Sequence, residues 1–186
     1  ANHLTDLVVK RVEELSTNSS WSRRRKDEFL GQLGECVFWS WLSQFELTYD
    51  WNSPSIQEGG WRKKSFDFKI TAVGTLSVKT LRPNPDESPR LLRIKESAWQ
   101  REKCRWTIPI EILSGEEARI YGALPRERIE TLEVHKKGTN YAPLAACRVI
   151  PLDETYLKNY PISDFVTLLD DASEKIDEWT PKKFRF

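Results

Sequence analysis

The chain is short of histidine and cysteine and has no long apolar run, and each shortage removes a class of function. Three cysteines, Cys36, Cys104 and Cys147, are widely spaced and odd in number. They provide neither a disulfide framework nor a zinc spacing, so a reducing cytoplasm is the expected compartment. The two histidines, His3 and His135, are isolated in the sequence and lack the neighbours of a general base or a zinc ligand. Cys36 has no histidine in pattern, which argues against a cysteine nucleophile. No stretch approaches the ~20 apolar residues of a membrane span. Ala1 to Lys10 mixes acid and base where a signal peptide would carry an apolar core. A glycine loop able to cradle phosphates is missing, which argues against a nucleotide hydrolase. There is no internal repeat and no low-complexity tract.

What remains is an ordinary globular composition, 39% hydrophobic and 31% charged over 186 residues. That is enough chain for one domain with a proper core, and residues 1–186 are read as a single unit. The net charge of +1 is too small for strong nucleic-acid binding by bulk charge. The cations are nevertheless clustered, at Arg23-Arg24-Arg25-Lys26, Trp61-Arg62-Lys63-Lys64 and Lys182-Lys183, while acids gather between Asp164 and Glu178. Such separation permits a basic cleft on a nearly neutral protein.

Apolar spacing predicts an amphipathic helix over 3–16, a polar linker over 16–22 and a stronger helix from about Lys26 to Phe45. A strand is expected over 47–51, a turn-rich stretch over 52–60, and then two alternating segments, Ser65–Ile70 and Thr75–Thr80. A loop at Pro83–Pro89 precedes an expected helix over 90–103. Strands are expected at 105–113 and 118–124, a short helix near 125–132, a strand at 145–150 and a helical tail from Ile162. Alternation of helix and strand makes the fold class α/β. The core is read as about 26–124, with the helix 3–16 before it and an extension over 125–186.

The two alternating segments carry the chemistry. Successive strand residues face opposite sides. Pairing Phe68 with Val78 and Ile70 with Leu76 sets apolar against apolar and leaves Ala72-Val73-Gly74 as a three-residue loop. Asp67 is then expected opposite Lys79, and Lys69 opposite Ser77. A slip of one residue would expose the phenylalanines. By itself the Asp67–Lys79 pair reads equally well as a cross-strand ion pair on a solvated face, worth under ~1 kcal/mol. A second acid, Glu35, falls at the edge of the apolar stripe of the 26–45 helix. It is flanked by Gly31 and Gly34, which weaken a helix but allow close backbone approach.

Gly31-Gln32-Leu33-Gly34-Glu35 on a helix, then Phe66-Asp67-Phe68, then Leu76-Ser77-Val78-Lys79, then a helix, resembles the PD-(D/E)XK nuclease superfamily, which includes restriction enzymes, homing endonucleases and Holliday-junction resolvases. The match covers about half the chain. It implies a restriction-endonuclease-like fold: a central mixed sheet, an antiparallel hairpin carrying the active site, and helices on both faces. Asp67 takes the place of the metal-binding acid, Lys79 that of the lysine acting on the attacking water, and Glu35 that of the helix acid. Ser77 stands where the family usually has Glu or Asp, and Phe66 where it has proline. Members with Ser-X-Lys recruit a carboxylate from the following helix, for which Glu96 is the first choice and Glu102 the second. The implied cofactor is Mg2+, with Mn2+ as a substitute. The implied activity is hydrolysis of DNA phosphodiesters, and the alternative is an inactive DNA-binding or assembly protein of the same fold.

Double-stranded DNA is the expected partner. Arg23, Arg24, Arg25 and Lys26 precede the Glu35 helix, and Arg62, Lys63 and Lys64 precede the Asp67 strand. Both groups are placed to contact phosphates, or else are ordinary solvated charge at element boundaries. A homodimer is expected, because cutting two strands takes two sites. Of eight tryptophans, Trp21, Trp51 and Trp61 lie near loops, suited to base stacking or an interface, and Trp39, Trp41 and Trp106 sit in core-like contexts.

Overall fold

A computed structural model describes residues 23–52, 66–82, 84, 87–114, 117–142 and 144–174. The expected helix 3–16 and the carboxy-terminal residues beyond 174 lie outside the described residues. The described residues begin with helix α1 (Arg23–Leu42), followed by β1 (Tyr49–Trp51), β2 (Phe68–Ile70) and β3 (Gly74–Leu81). After these come β4 (Leu91–Lys95), α2 (Glu96–Arg101), β5 (Trp106–Ile112), β6 (Ala118–Ile120) and β7 (Leu124–Pro125). The remainder is α3 (Arg126–Glu130), β8 (Val134–His135), β9 (Cys147–Pro151), α4 (Glu154–Leu157) and α5 (Ile162–Glu174).

The fold is mixed α/β. A six-stranded sheet runs β1-β2-β3-β5-β6, with β7 also on β5, and a three-stranded sheet runs β4-β9-β8. The large sheet is itself mixed: β1–β2 and β2–β3 are antiparallel, whereas β3 and β5 are parallel. Alternation along β3 divides its side chains. Leu76 and Val78 join a core with Leu33, Phe38 and Leu42 of α1, Phe68, Ile70, Ile108 and Ile110 of the sheet, and Phe165 and Leu169 of α5. Leu81, of opposite parity, joins a second core with Leu92, Ile94 and Ile150 of the small sheet, Trp99 of α2 and Ile129 of α3. The 125–186 extension therefore supplies part of the main core through α5.

Three sequence expectations change. Residues 91–95 form a strand rather than the start of a helix. Leu92 and Ile94 are buried while Arg93 and Lys95 are exposed, a period of two, and pairing with β9 from Leu91↔Pro151 to Lys95↔Cys147 outweighs local helix propensity. The hairpin register also moves by two residues, with Phe68 opposite Leu76 and Ile70 opposite Gly74. The connection is thus Thr71-Ala72-Val73, with Ala72 at φ 66° and Gly74 at φ 109°. A shift of two keeps every side chain on its face, and it sends Val73 into the core, where it is fully buried. The expected register would have put that valine at the middle of the three-residue loop. The expected strand 118–124 is likewise interrupted: Gly122 has φ 154°, and a Cβ there would stand 2.5 Å from the Tyr160 carbonyl oxygen.

The two helix glycines part company. A Cβ on Gly34 would collide with Thr80 Oγ1 and stand 2.9 Å from both Thr80 Cβ and Cγ2, so rotating the threonine does not make room. Gly31 has nothing within 4 Å of such an atom. Gly34→Ala is expected to destabilise by about 1–3 kcal/mol through overpacking. Gly31→Ala is expected to stabilise by up to ~1 kcal/mol through helix propensity. Urea midpoints of the two variants, moving in opposite directions from the parent, check this.

Candidate active site

Asp67 immediately precedes β2, and its backbone is held on both sides. Its N–H donates to the Leu76 carbonyl at 2.9 Å, and its carbonyl accepts from Asn52 N–H at 2.9 Å. The carboxylate turns across the hairpin to β3, where Oδ2 accepts the Val78 N–H at 2.8 Å and lies 3.2 Å from Ser77 Oγ. The register shift is what puts Ser77, rather than Lys79, opposite Asp67. Ser77 is 3% exposed, and its hydroxyl also lies 2.9 Å from Glu102 Oε2. The same carboxylate oxygen takes Lys79 Nζ at 2.5 Å. Asp67, Ser77, Lys79 and Glu102 therefore form one continuous polar chain on a single face of the hairpin.

A serine hydroxyl has one proton to donate, and two carboxylate oxygens stand within its reach. Only one can receive it at a time. Such sharing concentrates negative charge at one point, a donor chemistry suited to a hard cation such as Mg2+. Among the described residues, however, no three His, Cys, Asp or Glu side chains are gathered closely enough to hold a metal ion by themselves.

Glu102 owes its position to the end of α2. It caps that helix with extended dihedrals, φ −86° and ψ 112°, and its N–H closes the last turn on the Ala98 carbonyl at 2.8 Å. Its own carbonyl accepts from Arg126 at 2.6 Å, and that guanidinium lies 4.1 Å from the centre of the buried Trp99 ring. Cys104 follows two residues later and is buried. Burial, with the Asp67 and Glu102 carboxylates next in importance, pushes its thiol up to about 12.

The other sequence candidates fall elsewhere. Glu35 is 8% exposed and accepts the Trp51 indole N–H at 3.1 Å. Trp51 is stacked on Phe68 at 5.7 Å and on Trp39 at 5.6 Å, so it is an internal support, and through it Glu35 stands behind the strand that begins at Asp67. Glu96, the first choice for a recruited carboxylate, is not in the chain of contacts. It pairs with Arg148 at 3.1 Å and takes Gln100 at 2.6 Å, and hydrogen bonds from Gln100 and Arg148 hold its carboxyl below the usual range. The reason is the new β4 strand: the helix starts only at Glu96, and the two acids sit at its opposite ends. The side chains of Arg23, Arg24, Arg25 and Lys26, and the whole of Arg62, Lys63 and Lys64, lie outside the described residues. Trp51 and Arg126 as supports were missed in the sequence, since nothing local marks an indole or a guanidinium whose partner lies many residues away.

No protein family matches the chain, and no curated protein or solved structure matches it significantly. The fold and the site stand on their own chemistry.

The raised Cys104 thiol makes stability depend on pH with a definite sign. Below the unfolded thiol's pKa of roughly 9, both states hold the proton and the group is neutral in effect. Between there and about 12, the unfolded state loses the proton while the native state keeps it, so stability falls as pH rises. Cys104→Ala is expected to flatten that decline. Urea midpoints at pH 8 and pH 10.5, compared with the parent, measure it.

Proposed function

We propose that the protein is a Mg2+-dependent endodeoxyribonuclease with a restriction-endonuclease-like core. The observation that carries the reading is the meeting of Asp67, Ser77, Lys79 and Glu102 on one hairpin face. The order of elements in the large sheet supports it: a helix, three antiparallel strands and, after a detour through β4 and the short α2, a strand parallel to the third. Glu102 supplies the acid that Ser77 replaces in the usual pattern.

Hydrolysing a phosphodiester requires an oriented water, an in-line approach and neutralisation of charge on the phosphoryl oxygens. Asp67 and Glu102 are the residues that would hold the metal, with Glu35 behind them. Mg2+ keeps several waters of its own, so few protein oxygens suffice, and Mn2+ suits the same ligands. When bound, the metal supplies Lewis-acid polarisation and a more acidic water. Ser77 fixes the two carboxylates relative to one another. Lys79 offers a compact positive charge that does not compete as a ligand, able to turn from Glu102 toward the attacking water or a phosphoryl oxygen. A homodimer would bring two such sites to double-stranded DNA, and three cysteines held as thiols rather than disulfides suit a cytoplasmic setting. Among the described residues, no helix is long and apolar enough to cross a membrane.

A second reading, a non-catalytic DNA-binding or assembly protein on the same scaffold, draws on the two-carboxylate count at the site.

Supercoiled plasmid incubated with Mg2+ separates them. The parent protein is expected to nick or linearise it and to stop in EDTA. Asp67→Ala, Lys79→Ala and Glu102→Ala should each lower the rate at least ~10²-fold, while Glu96→Gln, folded to the same extent, should cut like the parent. Equal cutting by the parent and Asp67→Ala sinks the nuclease assignment. No cutting by the parent with either Mg2+ or Mn2+ leaves the second reading.

A further inference from the structure

The link between α2 and β5 has two faces. Glu102 and Cys104 point inward, the first half-buried in the site and the second fully buried, while Arg101, Lys103 and Arg105 between and beside them are exposed. Glu102 has extended dihedrals, and from Glu102 to Arg105 exposed and inward side chains alternate as in extended backbone, while Arg101 closes the helix just before them. The inner side carries the candidate chemistry, and the outer side is a row of cations.

That row is anchored to the hairpin. Arg105 N–H donates to the Thr75 carbonyl at 2.9 Å, and its guanidinium reaches the Val73 carbonyl at 3.4 Å and lies 5.7 Å from the Trp106 ring centre. Thr75 in turn pairs with the exposed Lys69 on β2, whose other neighbour across the sheet is the exposed Asp50 of β1. Arg101 stands 3.7 Å from Glu102 Oε1, whereas Lys103 makes no ion pair among the described residues. Three exposed cations beside a candidate phosphodiester site match a polyanion and not an apolar or basic partner.

We propose that Arg101, Lys103 and Arg105 form the surface that grips the sugar-phosphate backbone of a DNA strand beside the scissile phosphate. The inference rests on the nuclease reading for its partner but not for its test. Binding is measured in EDTA, where cutting is stopped, by fluorescence anisotropy of a labelled DNA duplex over a range of NaCl concentrations. Arg101→Gln with Lys103→Gln leaves the anchoring Arg105 in place, and the triple change adds Arg105→Gln.

The double and triple variants are expected to bind roughly tenfold or more weakly at about 0.1 M salt, and the slope of log K against log[NaCl] should become shallower by ~0.9 for each phosphate no longer neutralised. Lys136→Gln with Lys137→Gln, an exposed pair on the turn after β8, should bind as the parent does. Unchanged affinity and slope in both strip variants overturn the proposal, as does strip-dependent binding to phosphatidylglycerol vesicles as strong as that to DNA. The plasmid assay is scored separately. A parent that cuts while strip variants bind normally defeats the strip alone, and a parent that binds through the strip without cutting defeats the nuclease reading alone.

Discussion

The parallel pairing of β3 with β5 is the constraint on which the remaining structure hangs. Parallel neighbours cannot be joined by a tight turn, so the chain leaving Leu81 must travel back to the end where β3 began before starting β5. Residues 82–105 make that return, and they bring with them β4 and α2. The register Leu76↔Trp106 through Leu81↔Glu111 then requires the residues just before Trp106 to lie beside the start of β3. Glu102 meets Ser77 and Lys79, and Arg105 covers Gly74, because a parallel crossover has nowhere else to end. The candidate site is thus a consequence of strand direction, built from residues 25 positions apart that local pattern does not connect.

This explains what could be read in the sequence and what could not. Asp67, Ser77 and Lys79 were legible because a hairpin is local and its polarity alternates. Even a register error of two residues preserved which side chains share a face. It did not preserve which are opposite, and Asp67 faces Ser77 instead of Lys79. The deciding feature was Val73, whose burial moves the three-residue turn one position toward the amino terminus. Glu102 against Glu96 was a harder choice. It depended on where α2 starts, and that depends on β4 pairing with a strand more than fifty residues later. In Leu91–Lys95, apolar residues at 91, 92 and 94 fit either period, and only the partner strand resolves them.

The cores on the two sides of the large sheet have different tasks. On one side, Gly34 lets α1 come against Thr80, and Trp51 stacks between Trp39 and Phe68 while donating to Glu35. That packing holds the outer hairpin strands, and so the backbone of Asp67. On the other side, Trp99 sits in the second core with the Arg126 guanidinium against its ring, and Arg126 reaches back to the Glu102 carbonyl. Each acid of the pair is supported from a different core. Their separation is therefore set by the strand that carries Asp67 and the crossover that carries Glu102, with Ser77 as the common partner.

The Lys79–Glu102 pair also carries a functional cost. Both side chains are about one-fifth exposed, so their attraction is stronger than at a free surface and their desolvation is only partly offset. The ammonium of Lys79 has three N–H donors, but while one of them is held by the oxygen that Ser77 contacts, part of its charge is neutralised before any phosphate arrives. Engagement of a divalent cation by Glu102 would weaken its hold on Lys79, since one carboxylate oxygen cannot serve both at full strength. The resting contact and the working arrangement then compete for a single atom, Glu102 Oε2. On the nuclease reading, a cation held by Asp67 and Glu102 would leave Lys79 freer to direct its charge at the substrate.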